Sequence, residues 1–166
     1  MALYTIGITS ITVGAIAGDG GPGTSLTSLG YTLEKTAKLN QADATVTEFK
    51  VEEVDAAVYT KSTPGAITLT WSLANPDVDT MIAVFGGTAS GTSPARVWNM
   101  PASVVAIEQT IKIIPSDGFK AITIPRGQLT AKLNGELTRD TLFVLDITVT
   151  ALQPTKSGVG PIQFTQ

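Results

Sequence analysis

Cysteine and histidine are both absent from the 166 residues. Without thiols no disulfide framework can form, and zinc sites and Cys-His or Ser-His-Asp catalysis lack their defining groups. The composition fits a reducing compartment, or an assembly that needs no covalent reinforcement. Charge is scarce as well: 15% of residues are charged, 11 Lys plus Arg against 14 Asp plus Glu, for a formal net charge of −3. The basic residues are dispersed, which disfavours a nucleic-acid-binding surface, because such a surface displaces counterions with clustered positive charge. No apolar run approaches the ~20 residues that span a bilayer. Met1-Ala2-Leu3-Tyr4-Thr5 lacks the basic and apolar regions of a secretion signal. These absences lead us to expect a soluble protein made in the cytoplasm, with no membrane anchor.

What is present is Thr, Ser, Gly and Ala in abundance, in a chain long enough to form one domain, 1–166, around a proper core. So little charge is unusual for a monomer that stays soluble by its own surface, so a partner is expected to cover part of it.

Residues 49–87 carry the strongest pattern. Ile67, Leu69, Trp71 and Leu73 alternate with Ala66, Thr68, Thr70 and Ser72, the period of a strand with one face on a core. Phe49 and Val51 alternate in the same way against Glu48, Lys50 and Glu52, and the turn signal Ser62-Thr63-Pro64-Gly65 separates the two runs. The expectation is a hairpin of two half-buried strands. Next comes a helix start: Asn75 as N-cap, Pro76 at the first helical position, and Asp77 and Asp79 where the helix dipole favours negative charge. Val78, Met81, Ile82 and Phe85 form one apolar stripe, which Gly86 and Gly87 end. This predicts a short helix over about 76–85, a structural plug covering an open end or face of a β structure.

The remainder reads as short strands and loops. Glycines at 14, 18, 20, 21, 23 and 30 mark a long, flexible loop at about 14–30. Residues 29–39 lean toward strand, and 88–101 form a polar connection. Val105, Ile107, Gln109, Ile111 and Ile113 mark a strand, as do 119–124, Leu129 to Leu133, and Phe143, Leu145, Ile147 and Val149. Turns are expected at Ser116-Asp117-Gly118, Pro125-Arg126-Gly127 and Asn134-Gly135, and a polar tail at about 154–166. Several short strands with one helix predict a mainly β fold, a sandwich or barrel of mostly antiparallel strands with one flanking helix.

The candidate chemistry is thin. Gly18, Gly20 and Gly23 match GxGxxG, with Asp43 about twenty residues on, yet no amphipathic helix follows and no alternating βα units exist, so a flexible loop is the better reading. Glu52, Glu53 and Asp55 cluster acids without the spacing of a calcium loop, and solvated strand-end charges explain them. No catalytic, cofactor or metal site is assigned. Trp71 reads as core, and Trp98 as core or contact residue.

The succession from Phe49-Lys50-Val51-Glu52-Glu53-Val54-Asp55 through Leu69-Thr70-Trp71-Ser72-Leu73 to Asn75-Pro76-Asp77 and Gly86-Gly87-Thr88 resembles the major tail tube proteins of long-tailed bacteriophages. The late strands at 121–125 and 143–152 are similar to that family's closing strands. The resemblance implies a virion tail protein, related to the type VI secretion tube protein. It implies hexameric rings that stack into a tube carrying DNA, without specific binding, and the tape measure protein. Gly18-Asp19-Gly20-Gly21-Pro22-Gly23 is then the expected assembly loop, ordered by contacts with a stacked copy. The competing reading is a carbohydrate-binding or adhesive β-sandwich module, which would be expected to display aromatics on one face, whereas 6% of residues are aromatic. An enzyme comes third.

Overall fold

The computed structural model describes residues 4–103, 105–135 and 137–166. In chain order it contains β1 (Ser10–Gly14), β2 (Thr27–Ser28), β3 (Lys38–Gln41), β4 (Thr45–Val51), β5 (Val54–Thr63), β6 (Ile67–Leu73), α1 (Val78–Phe85), β7 (Thr88–Ser90), β8 (Val97–Asn99), β9 (Ile107–Ile114), β10 (Ala121–Asn134), β11 (Val144–Ala151) and β12 (Gln163–Thr165). The fold is mainly β with one helix, as the periodicity predicts. One eight-stranded antiparallel sheet runs β2-β1-β9-β10-β11-β6-β3, with β12 also on β10; β4-β5 and β7-β8 are separate ribbons.

Cross-strand partners share a face, so the register sorts the sheet into apolar and polar ladders. Leu69, Val149 and Leu129 form one apolar row, Trp71, Ile147 and Ala131 the next, and Leu73, Leu145 and Leu133 a third. Val13, Ile111 and Ile124 continue that face on the other flank. Most of these side chains are buried in a single core. The opposite face carries Thr68, Thr150 and Gln128 in one row, and Thr70, Thr148 and Thr130 in another.

Residues 27–41 begin paired with β1 and end paired with β6, with Thr32 already bridged to Leu73. The four Cα-to-Cα steps from Ser28 to Thr32 span at most about 14 Å. The two edges of the sheet therefore curl toward each other around the core, in a sandwich-like roll that does not close into a barrel.

Pro125-Arg126-Gly127, read from sequence as a turn between two strands, is a bulge inside the 14-residue β10. Proline has no N–H for the ladder, so the pairing with β9 slips there without the chain reversing. Asn134 pairs with Val144 at the end of β10, so Asn134-Gly135 is not the two-residue turn of a tight hairpin. The expected strand at 29–39 is a bridge at Thr32 followed by β3, and the polar connection at 88–101 contains the β7-β8 ribbon.

Two further expectations need correction. The hairpin pairs β4 with β5 and turns at Glu52-Glu53, between Val51 and Val54. β6 lies instead between β11 and β3. Pro64-Gly65 forms a joint: Ala42 N–H donates to Ala66 C=O, and a Cβ on Gly65 would collide with the Ala42 carbonyl. The helix starts at Val78 with Asp77, not Asn75, as its N-cap; the Asp77 carboxylate accepts from Thr80 N–H at 2.8 Å. Asn75 Oδ1 instead accepts from Tyr31 N–H at 2.7 Å, fastening the chain that crosses between the sheet edges.

Candidate assembly surface

β4 and β5 extend the β3-β6 pair beyond the core as an arm. Seven residues of β4 at ~3.4 Å each give it a length of about 24 Å. Every residue of both strands is exposed except Ala57, which is intermediate. Strands that dip into water on both faces carry polar alternation at most, yet this arm shows Val46, Phe49, Val51, Val54, Val58 and Tyr59 to solvent, with Tyr59 62% exposed. Phe49 and Tyr59 are cross-strand partners, and their ring centroids lie 5.7 Å apart. An isolated two-stranded ribbon is marginal in water. Six apolar side chains on one make it a surface that gains stability when covered.

The glycine-rich segment is tied to the body. The Thr110 hydroxyl, buried between β9 and the bulge, accepts from Gly23 N–H at 2.8 Å and donates to Pro125 C=O at 2.7 Å. Asp19 accepts from Gly21 N–H at 2.9 Å and from Lys156 Nζ at 2.6 Å, and those two hydrogen bonds, that of Lys156 first, hold its carboxyl below the usual range. Gly23 answers a close approach, since a Cβ there would collide with the Ala15 carbonyl. The tail returns as β12 on β10.

The helix packs against β9, β10 and the β7-β8 ribbon. Its fully buried positions are Thr80 and Val84; Met81, Ala83 and Phe85 pack beside the core, while Val78 and Ile82 are half-buried outside that cluster. Thr80 takes an inward place because its hydroxyl donates to Leu29 C=O at 3.0 Å. Trp98 stacks on Phe85 with centroids 5.6 Å apart and donates Nε1–H to Gly86 C=O at 2.9 Å, closing the helix end. Arg96 pairs with Asp79 at 2.8 Å and lowers its pKa. Between Val84 and Phe85 on one side and Leu129 and Ala131 on the other lies an open groove of about 380 Å³, rimmed by Met100 and Val105.

Residues 15–159 match the family described as phage tail tube protein. The chain belongs to that family. No curated protein matches the chain. Membership makes it a structural component of the virion tail, a tail tube protein that associates with further copies and other tail proteins. Among the described residues no three His, Cys, Asp or Glu gather to hold a metal ion, and no helix is long and apolar enough to cross a membrane.

In this tail tube protein the expected assembly loop, Gly18 to Gly23, lies apart from the residues expected to form the helix: Val78, Met81, Ile82 and Phe85 are in it and Gly86 caps its end, whereas Asn75 and Pro76 precede the Asp77 cap, so Pro76 is not the first helical residue. Asn75 and the helix meet the crossing chain at Tyr31 and Leu29, whereas the loop meets β9 and Lys156. Glu52, Glu53 and Asp55, read as strand-end charges, lie at the tip of the arm. Sequence reasoning missed the arm itself. Its signal was Glu52-Glu53 between Val51 and Val54, a two-residue link without the glycine or asparagine that usually marks one.

Proposed function

We propose that this chain assembles through its arm into rings, hexameric by family resemblance, which stack into the tail tube through which phage DNA passes. The observation that carries this reading is a ribbon exposed on both faces yet rich in apolar side chains, in a chain of the tail tube family. A homo-oligomer with a ring operator covers such a ribbon in every copy. Glycine-rich residues 18–23 serve as a second contact between stacked rings, and the tape measure protein is a further partner in the lumen. DNA slides without specific binding: the sheet's polar face is mostly hydroxyl and amide groups, its Glu108 is paired with Arg126 at 2.7 Å, and its Lys112 and Lys132 are dispersed, with Asp146 directly across from Lys132. Electron microscopy of the purified protein across a concentration series tests the reading, with rings or tubes as the expected result. A chain that stays monomeric at millimolar concentration, with no rings in micrographs, overturns it.

A further inference from the structure

Resting on that assembly reading, we infer that the Phe49–Tyr59 ring pair of one copy seats in the groove between α1 and β10 of another copy. Both surfaces are apolar and open in the single chain. The floor of the groove is Val84 and Leu129, each 2% exposed, while its rim, Met100 at 55% and Val105 at 45%, faces solvent. Among the described residues none that lines it is charged, so it complements uncharged rings and offers no cation to the acids at the tip of the arm. Its volume of about 380 Å³ falls within the ~300–1,000 Å³ of pockets that enclose compact apolar groups.

A second copy is the occupant the geometry favours. Among the described residues, none of β4 or β5 lines the groove of its own copy, and the arm makes no extensive contact with an element other than its own two strands. Arm and groove are different patches, which makes the contact heterologous: each copy both gives and receives, and the contact propagates around a ring or along a stack. Aromatic anchors in a desolvated pocket are where association energy concentrates.

The absence of cysteine gives a clean test. Thr47→Cys, which lies two residues from Phe49 on the same face of the arm and keeps both rings, and Met100→Cys proteins are mixed under assembling conditions, oxidised, and resolved on non-reducing gels with mass spectrometry of the linked peptides. The expected product is a disulfide between positions 47 and 100, formed in the mixture and by neither variant alone. A second variant, Val105→Asp at the exposed rim, is expected to keep the wild-type melting temperature while raising the concentration needed for assembly by about tenfold or more. Tubes that form with only a 47–47 disulfide, or with none, overturn the contact while leaving the assembly reading standing. So does unimpaired assembly of Val105→Asp. If the wild-type chain forms neither rings nor tubes, the assembly reading falls and this contact falls with it.

Discussion

The amide of Gly23 donates to the hydroxyl of Thr110 across 2.8 Å, and that one contact pins the glycine-rich segment to the bulge of β10. The hydroxyl is fully buried, and it donates in turn to the Pro125 carbonyl, where the ladder slips. Thr110→Val keeps the shape and removes both bonds. The expected cost is about 1–3 kcal/mol, the penalty for stranding a buried polar group, and chemical denaturation measures it. Amide exchange at 21–23 should rise in the same variant. In the wild type, exchange over 14–23 should slow when subunits assemble; equal protection in subunit and tube would remove this loop from the stacking contact.

The arm can be removed without touching the core. β3 and β6 are already antiparallel neighbours, and a Cβ-free joint at Gly65 separates them from β4 and β5. Replacing residues 43–65 by a two-residue Asn-Gly turn should leave thermal stability close to that of the parent, because the deleted strands bury no core residue. Assembly in light scattering should be lost. A large fall in melting temperature would show that the arm supports the fold, contrary to its exposure.

The helix offers an ordering of variants. Val84 is 2% exposed within the core, so Val84→Ala should cost about 2–3 kcal/mol through lost transfer energy and the cavity left behind. Ile82 lies outside the core cluster, so Ile82→Ala should cost less than about 1 kcal/mol. Thermal melts of the two variants settle the order, and its reversal would mean that the helix faces the core by the stripe Val78, Met81, Ile82 and Phe85 read from the sequence.

That stripe shows where the sequence stops being legible. Apolar spacing located the helix, and strand alternation located β6, β9 and β11, because burial on one face writes itself directly into residue type. It could not see Thr80 turned inward, since the Leu29 carbonyl that satisfies its hydroxyl is brought there by residues 51 positions away. Asn75 and Asp77 are both competent N-caps by type, and the choice fell to Asp77 because Tyr31 N–H claims the asparagine. Phe49 alternates as a half-buried strand residue would, yet its cover is the ring of Tyr59 on the neighbouring strand and not the core, which the period alone does not reveal. Glycine density at 14–30 was equally ambiguous, because close approach and mobility call for the same residue.

Acid sensitivity follows from three ion pairs. Hydrogen bonds from Lys156, Arg96 and Arg126 hold the carboxyls of Asp19, Asp79 and Glu108 below their ordinary range. A lowered folded-state pKa means that, as pH falls, the unfolded chain takes up these protons first. The stabilisation is complete above about pH 4.5, where unfolded carboxylates are ionised, and drains away as pH falls through the folded-state values. All three pairs are partly solvated, so the effect is modest and weakens in about 1 M salt, where screening acts over a few ångströms. The triple variant Asp19→Asn, Asp79→Asn and Glu108→Gln should therefore fall short of the wild type at pH 7 and approach it only at the acid end of the range, once pH has dropped below the lowered folded-state values. Melting curves between pH 7 and pH 2 test this, and a wild-type slope retained in the triple variant would place the acid sensitivity in other carboxylates.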